Sequence, residues 1–189
     1  MTDFLSRRTT MVDTQIRPAD VTKFPIIDAM LQVRREKFVP DNLRETAYAD
    51  AILNIGFGRC ILEPRTFAKM LDAVDIQGNE LVLDVGCAFG YSSAVIGRFA
   101  EAVVALEENE FIALEAETAL ASEGCLNTAV IHGHLQCGAE QHAPFDVIII
   151  EGAVDEIPTA LVAQLADSGR MVAVFNEKGQ GVVRVGYKA

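Results

Sequence analysis

The chain is short of basic residues. Its 189 residues include 16 Lys and Arg against 27 Asp and Glu, which gives a formal net charge of −11. A protein that binds nucleic acid by neutralising phosphates needs a basic surface, so we expect no nucleic-acid partner. An excess of acidic residues favours solubility instead.

Paired cysteines are also missing. The four cysteines and three histidines are Cys60, Cys87, Cys125, Cys137, His132, His134 and His142. No CxxC pair occurs, and the spacing of the histidines around Cys137 matches no structural zinc pattern. We therefore expect no metal site, and unpaired thiols favour a reducing, cytoplasmic compartment.

Long apolar runs, repeats and low-complexity segments are absent as well. No stretch of about 18 apolar residues predicts a membrane span, and the polar residues 1–8 are unlike a signal peptide. We expect no membrane partner. The length fits one domain, and 50% hydrophobic residues can supply its core.

The first part of the chain predicts helices and one long loop. Residues 9–40 are predicted to be helical, with Pro25 in a first turn and Pro40 ending the helix. Glycine and proline mark residues 47–64 as a loop. The spacing of apolar residues predicts a helix over residues 66–74.

From residue 80 onward, predicted strands and helices alternate. The strands cover 81–86, 102–106, 128–132, 145–150, 170–175 and 182–187, and the helices cover 91–100, 110–122 and 158–166. Asn109 is a predicted N-cap and Gly124 a predicted C′ residue. The apolar strand 145–150 should be central, and the short link before the last strand predicts an antiparallel hairpin. The fold class is therefore α/β: a doubly wound, mostly parallel Rossmann-like sheet with an N-terminal helical extension.

An acid and a glycine loop follow the first of these strands. Asp84 ends the apolar run, and Gly86 and Gly90 let the backbone approach a ligand closely. Glu107 stands 21 residues after Gly86, the spacing of an acid that accepts hydrogen bonds from ribose hydroxyls. These features predict a site for an adenosine-bearing ligand at the switch point of the sheet.

Two other interpretations of this loop are possible. A dinucleotide fingerprint G-x-G-x-x-G would need glycines where the chain has Ala88 and Tyr91, and its third glycine permits close packing of the helix on the strand. The nicotinamide reading is therefore disfavoured. The alternative that this loop is only a tight turn, in a sheet that binds no nucleotide, stays open.

Three segments match signatures of a known family. Residues 26–40 resemble "AM..V.R..FVP", residues 47–58 resemble "AY.D…IG.G", and residues 144–170 resemble "PYDVI…IP..L..QL..GGR". With its acid and glycine loop, the chain is similar to the class I S-adenosylmethionine methyltransferases. More closely, it resembles the protein-L-isoaspartate (D-aspartate) O-methyltransferase family, over roughly residues 9–187.

The resemblance implies a reaction and an organisation. A methyl group would pass from S-adenosylmethionine to the free carboxylate of an isoaspartyl residue in damaged proteins or peptides, leaving S-adenosylhomocysteine. A carboxylate is already ionised near pH 7, so no general base is needed, and positioning can supply about 7–11 kcal/mol. Residues 1–75 would form the helical extension and substrate loop, and residues 76–189 the cofactor-binding α/β domain. We expect one structural unit and a monomer or weak dimer.

The resemblance also assigns site residues. For the cofactor they are Phe67, Asp84, Gly86, Cys87, Ala88, Gly90, Tyr91, Glu107, Glu108, His134 and Leu135. For the methyl acceptor they are Arg59, Cys60, Ile61 and Leu62.

The chain departs from the family pattern at several of these positions. Where the family has Thr-Ile-Ser-x-Pro, with its serine hydroxyl beside the reacting carboxylate, this chain has Cys60 and Leu62 in place of the threonine and the serine. A lost hydrogen-bond donor costs about 1–3 kcal/mol. His134 replaces the acid of the family's Gly-Asp-Gly near the adenine, although a neutral imidazole can still bond to adenine, and Ala88 is a milder change. Members of the family normally continue with another strand and a tail.

Three functions stay open at this point. The first is isoaspartyl carboxyl methylation with Leu62 tolerated. The second is a methyltransferase of the same fold with a different small acceptor. The third is a cofactor-binding relative without catalysis, which the joint loss of the serine and of the adenine-side acid motivates.

Single residues have alternative roles too. Arg59 either pairs with the acceptor carboxylate or lies solvated, and Glu151 either lines the cleft or is a solvated strand end. Tyr48 and Asp50 either shape the acceptor cleft or have structural roles. Cys60 is better explained as a small packed thiol than as a nucleophile.

Overall fold

A helical layer precedes the sheet. The computed structural model describes residues 3–188. Helix α1 (Phe4–Met11) continues through a π-helical turn, Val12–Ile16, and a 3-10 turn, Arg17–Ala19, and α2 covers Phe24–Gln32.

The prediction that residues 9–40 form a single helical stretch is wrong, because the structure has several shorter helices there. The chain breaks at Asp20, whose φ of 65° is left-handed. Pro25 lies in the first turn of α2, as predicted. The helix ends well before Pro40, because Val33 is extended and the fully buried Arg35 turns into the interior.

The segment 47–64, predicted to be a loop, contains a short antiparallel hairpin. Its strands are β1 (Leu53–Gly56) and β2 (Arg59–Ile61). Gly56 and Gly58 at the tip have φ of 84° and 70°, a conformation that glycine adopts without steric cost. Strands of four and three residues are too short for a clear alternating pattern, which explains the missed prediction.

The remaining elements alternate as predicted. They are α3 (Pro64–Val74), β3 (Leu81–Val85), α4 (Tyr91–Ile96), β4 (Ala102–Glu107), α5 (Glu110–Ser122), β5 (Thr128–His132), β6 (Phe145–Val154), α6 (Thr159–Ala163), β7 (Leu165–Glu177) and β8 (Gln180–Tyr187). The six-stranded sheet has the order β5-β4-β3-β6-β7-β8. Every neighbouring pair is parallel except the C-terminal pair β7 and β8. The predicted fold class is confirmed.

Several element ends differ from the sequence-based bounds. β6 and β7 are longer than predicted, while α4 and α6 are shorter. The predicted ends of α5 are confirmed: Asn109 caps it by accepting from Ile112 N at 3.1 Å, and Gly124 follows it with φ of 72°. None of the helices within residues 3–188 is long and apolar enough to cross a membrane.

Both faces of the sheet are covered, as the apolar central strand predicts. Val147 and Ile149 of β6 lie in a core shared with α1 to α5, while Ile148 and Ile150 lie in a second core with Leu161 of α6. The first core is continuous from the helical layer to the sheet. This packing fixes the helical layer and its hairpin beside the carboxyl ends of the central strands.

Candidate functional site

The glycine loop joins β3 to α4 at the switch point of the sheet. Gly86 N and Cys87 N donate to Leu106 O at 2.7 and 3.1 Å, which holds the loop against β4. Gly86 and Gly90 have φ of 80° and 92°, and Ala88 has φ of 50°. The two glycines suit this backbone, while the alanine adopts it at some cost.

The two glycines serve different contacts. A β-carbon on Gly86 would collide with the guanidinium of Arg59. A β-carbon on Gly90 would lie 3.0 Å from Leu120 Cδ1 of α5. Gly86 therefore leaves room for the Arg59 guanidinium against the loop, whereas Gly90 permits the packing of α5.

Asp84 is wholly buried at the end of β3. Its Oδ2 accepts from Ser92 Oγ at 2.6 Å and Ser93 Oγ at 2.5 Å, while Oδ1 has no hydrogen-bond partner within residues 3–188. Burial raises the pKa of Asp84 to about 6. The hydrogen bonds from the two serine hydroxyls lower the pKa, but by less, and the charge of Glu107 adds to the rise. The free oxygen is an unused acceptor beside the glycine loop.

Glu107 ends β4 with its side chain fully buried. It accepts from the backbone N–H groups of Ala88 at 3.0 Å, Glu108 at 2.9 Å and Asn109 at 3.1 Å. Its Oε2 is also 3.2 Å from Arg59 Nη2. The acid predicted to bind ribose is thus held in place by backbone donors and covered by an arginine.

Arg59 lies on β2, in the hairpin above the glycine loop. Its side chain is 16% exposed and pairs with Glu107, so the alternative of a solvated arginine is wrong. The guanidinium occupies the space next to Gly86. The predicted contact with an acceptor carboxylate stays a prediction.

A second arginine, which was not among the predicted site residues, holds the segment 59–62 that is predicted to contact the methyl acceptor. Arg35 is 0% exposed and donates to Ala47 O at 2.7 Å and Leu62 O at 2.8 Å. Its guanidinium carbon lies 4.4 Å from the centre of the Tyr91 ring. The signal was the arginine in the family signature "AM..V.R..FVP", which falls on this residue.

Two cavities meet beside the segment 59–62. A narrow inner cavity is lined by Arg35, Cys60, Ile61, Leu62, Phe67, Gly86, Cys87, Ala88, Tyr91, Ser92 and Glu151. An open cleft of about 770 Å³ runs along the carboxyl ends of the strands. Its lining includes Arg59, Val85, Glu108, His134, Leu135, Ile150 and Glu151. A volume in this range suits a nucleoside-sized ligand.

Most of the predicted site residues line one of these two spaces, whereas Asp84, Gly90 and Glu107 line neither. Glu108, His134 and Leu135 line the cleft, where His134 Nδ1 lies 2.8 Å from Glu108 Oε1. Most of the others, Leu62 and Phe67 among them, line the inner cavity. Leu62 is 5% exposed, and its side chain adds only apolar surface there.

The thiols beside the site are unsuited to nucleophilic chemistry. Burial raises the pKa of Cys60, and the nearby charge of Arg59 lowers it by less. Burial also raises the pKa of Cys87 well above its ordinary value. Both thiols favour their protonated form, which supports their reading as small packed residues. No cluster of metal-binding side chains is found among residues 3–188.

Three residues with open roles are now placed. Tyr48 is buried and donates to Glu36, and Asp50 pairs with Arg65, so both have structural partners outside the two cavities. Glu151 is 7% exposed and lines both cavities. Its reading as a solvated strand end is wrong.

Comparison with known proteins gives consistent matches over most of the chain. A family model described as Protein-L-isoaspartate(D-aspartate) O-methyltransferase (PCMT) matches residues 6–189. The chain is 38% identical to the Protein-L-isoaspartate O-methyltransferase of Koribacter versatilis, covering 91% of this chain and 78% of that protein. It is 37% identical to the Protein-L-isoaspartate O-methyltransferase 1 of Rhodopseudomonas palustris, covering 97% and 76%.

Solved structures agree in fold. A protein-L-isoaspartate O-methyltransferase superposes with a TM-score of 0.83 at 24% identity, and the alignment covers 96% of this chain and 60% of that one. The beta-aspartate methyltransferase (PCMT) of Plasmodium falciparum in complex with S-adenosyl-L-homocysteine superposes with a TM-score of 0.80 at 20% identity, covering 98% and 89%. The likeness to these two structures concerns the fold alone.

Proposed function

We propose that this chain, which belongs to the protein-L-isoaspartate(D-aspartate) O-methyltransferase family, methylates the free carboxylate of isoaspartyl residues in damaged proteins or peptides. One observation carries the proposal: the glycine loop and Glu107 are joined by the Ala88 N to Glu107 hydrogen bond of 3.0 Å at the switch point of a parallel sheet. This is where such sheets bind nucleotide-like ligands.

The residues around the cleft suit S-adenosylmethionine. Glu107 would accept from the ribose hydroxyls once Arg59 has moved away, and His134 with Leu135 would flank the adenine. The free Oδ1 of Asp84 and the space beside Gly86, once Arg59 has left it, suit the amino-acid part. The bound cofactor supplies a methyl group already activated by its positive sulfur.

The chemistry asks little of the protein beyond positioning. An acceptor carboxylate oxygen forms a bond to the methyl carbon while the carbon–sulfur bond breaks, and its electron pair stays on sulfur. The acceptor is ionised near pH 7 without a base. Arg35 holds the segment 59–62 through Leu62 O, and such positioning can supply about 7–11 kcal/mol.

A methyl-transfer assay tests the proposal. Transfer of tritiated methyl from S-adenosylmethionine to an isoaspartyl peptide is expected, with none to the matching aspartyl peptide. Glu107→Gln should weaken S-adenosylhomocysteine binding about tenfold or more, because a hydrogen bond to a charged acceptor is worth about 1.5–3 kcal/mol. Glu117→Gln, which changes an exposed carboxylate of α5, is the matched control. Equal transfer to both peptides, or to neither, would count against isoaspartyl methylation.

A different small acceptor is the second candidate. It is favoured by the apolar Leu62, which brings no donor to the inner cavity. This candidate predicts S-adenosylhomocysteine binding in calorimetry without transfer to the isoaspartyl peptide. Transfer to another carboxylic acid would establish it, whereas binding without transfer to any acceptor would point to a relative without catalysis.

We further propose that the chain works as a monomer or weak dimer in a reducing, cytoplasmic compartment, without a nucleic-acid partner. The four cysteines are unpaired, and the net charge of −11 disfavours nucleic acid.

A further inference from the structure

Glu151 has a buried carboxyl group. Its Oε1 atom has no hydrogen-bond partner within residues 3–188. The residue is 7% exposed on β6 and lies between the inner cavity and the cleft, lining both. Leaving a buried polar atom without a hydrogen bond costs about 1–3 kcal/mol. Such an atom beside a ligand cleft is a candidate for a ligand contact.

The charges around Glu151 are mixed. The titratable groups that share the inner cavity or act on its charge are Arg35, Arg59, Cys60, Asp84, Cys87 and Tyr91. Across the open cleft they are Glu108, His134, Cys137, Asp155 and Glu156. Burial and the charge of Asp84 raise the pKa of Glu151 well above its ordinary value. The charges of Arg35 and Arg59 lower this pKa, but by less. A protonated carboxyl is a hydrogen-bond donor, which an ionised one is not.

Position 62 brings no hydroxyl to the same inner cavity, where the hydroxyls present belong to Tyr91 and to Ser92, which already donates to Asp84. Leu62 lines this cavity at the position where the family pattern has serine, and the backbone oxygen of Leu62 already accepts from Arg35. The inner cavity of about 10 Å³ would have to widen to admit an acceptor carboxylate, which would then meet no side-chain donor from position 62. An ionised Glu151 would repel it, whereas a protonated one would bind it.

We propose that Glu151, carrying its proton, donates a hydrogen bond to the methyl-acceptor carboxylate and so replaces the hydroxyl that position 62 lacks. This rests on the proposed carboxyl methylation. The bond orients the attacking oxygen while Glu151 keeps its proton, so no proton is transferred in the step.

Substitutions at positions 151 and 62 test this role. Glu151→Ala should lower kcat/KM for an isoaspartyl peptide about 10- to 150-fold, the loss expected for one hydrogen bond to a charged group. Glu151→Gln keeps an N–H donor and should retain most of the activity. Leu62→Ser combined with Glu151→Ala should recover it, because the hydroxyl returns. Glu117→Gln on exposed α5 is the control.

The pH profile separates this role from a packing role. Wild-type kcat/KM should fall as pH rises through the raised pKa of Glu151, because the donor loses its proton. Glu151→Gln should not show this fall. The urea midpoint of each variant, measured in parallel, reports correct folding.

Peptide binding keeps this test independent of turnover. Affinity of the isoaspartyl peptide for the complex with S-adenosylhomocysteine should drop at least about fivefold in Glu151→Ala and be recovered by the added Leu62→Ser. Unchanged peptide affinity and unchanged kcat/KM in Glu151→Ala would overturn the role of Glu151. A wild-type protein that binds the peptide through Glu151 but transfers no methyl would support that role while contradicting the proposed function.

Discussion

At the scale of single residues, the pair of Arg59 and Glu107 controls access to the proposed ribose contact. The guanidinium lies 3.2 Å from Glu107 Oε2 and fills the space beside Gly86. Glu107 also accepts from three backbone N–H groups. The Glu107 carboxylate therefore stays hydrogen-bonded when the arginine leaves. A ligand that displaces Arg59 does not leave this buried charge without hydrogen-bond donors.

Removing Arg59 should consequently tighten cofactor binding. We expect Arg59→Gln to raise S-adenosylhomocysteine affinity about tenfold, because a contact worth about 1.5–3 kcal/mol no longer has to be broken. Isothermal titration calorimetry measures the change. Lys69→Gln, which removes a charge from the exposed side of α3, should leave the affinity unchanged. Weaker binding by Arg59→Gln would show that Arg59 assists the cofactor instead.

Asp84 should make the folded protein less stable as pH rises. Its pKa is about 6 in the folded chain against an ordinary 3.8, mainly through burial, so the folded state holds its proton more tightly than the unfolded state does. The resulting stabilisation is complete below about pH 4 and is lost as pH rises to about 6. Two pKa units correspond to roughly 3 kcal/mol.

Asp84→Asn tests this pH dependence. The amide oxygen can still accept from Ser92 and Ser93, but it does not titrate. The free energy of unfolding of the variant, relative to wild type, should therefore increase by roughly 3 kcal/mol between pH 4 and pH 7, as measured by urea denaturation. The exposed Asp167→Asn should show no such trend. Parallel curves for Asp84→Asn and wild type would refute the shift.

At the scale of elements, helix α5 starts directly after the site. Asn109 Oδ1 caps it by accepting from Ile112 N, while Asn109 N donates to Glu107. Asn109 was predicted from the sequence because capping is local: it needs one residue type immediately before an apolar periodic segment.

Loss of this cap should destabilise the protein by about 1 kcal/mol. Asn109→Ala removes the side-chain acceptor, whereas Asn109→Asp retains one. We expect a lower urea midpoint for the alanine variant with an unchanged slope, and a midpoint near wild type for the aspartate variant. Equal midpoints for all three proteins would mean that the cap contributes nothing.

The hairpin of β1 and β2 is an element that local patterns did not predict. Its contacts explain why: Arg59 reaches Glu107, 48 residues away, and Phe57 packs on Phe111 of α5, with ring centres 6.4 Å apart. Strands this short are stabilised by tertiary partners rather than by their own alternation. The same limit hid Arg35, whose partner Leu62 is 27 residues away.

At the scale of the whole molecule, Arg170 of β7 ties the helical layer to the sheet. It donates to Val74 O at the end of α3 at 2.5 Å, to Asp75 O at 2.8 Å, and to both oxygens of Glu80. Burial raises the pKa of Glu80, but the hydrogen bonds from Arg170 and from Gln77 N outweigh it, so the pKa lies below its ordinary value. The stabilisation is thus present at neutral pH and lost as pH falls through that lowered pKa.

Arg170→Lys should lower stability without separating the two parts of the chain. We expect a loss of about 1–3 kcal/mol at pH 7, because lysine keeps the charge beside the partly buried Glu80 but cannot make all the hydrogen bonds of the guanidinium. We also propose that residues 1–75 and 76–189 unfold together, because one core spans both. Far-ultraviolet circular dichroism and tyrosine fluorescence should therefore give coincident transitions. Two separated transitions would contradict a single structural unit.

By itself, the sequence determined the α/β class, the order of strands and helices from residue 80 onward, the glycine loop and the acid at position 107. These follow from periodicity, caps and short motifs, which act between neighbours along the chain. The family, too, could be recognised from its signatures.

Only the tertiary structure decided what surrounds those residues. It paired Arg59 with Glu107, turned Arg35 onto the segment of Leu62, and buried Glu151 between the inner cavity and the cleft. Each depends on contacts between segments that are far apart in sequence, and on burial, which sets the charge that a carboxyl can carry. Local patterns contain neither.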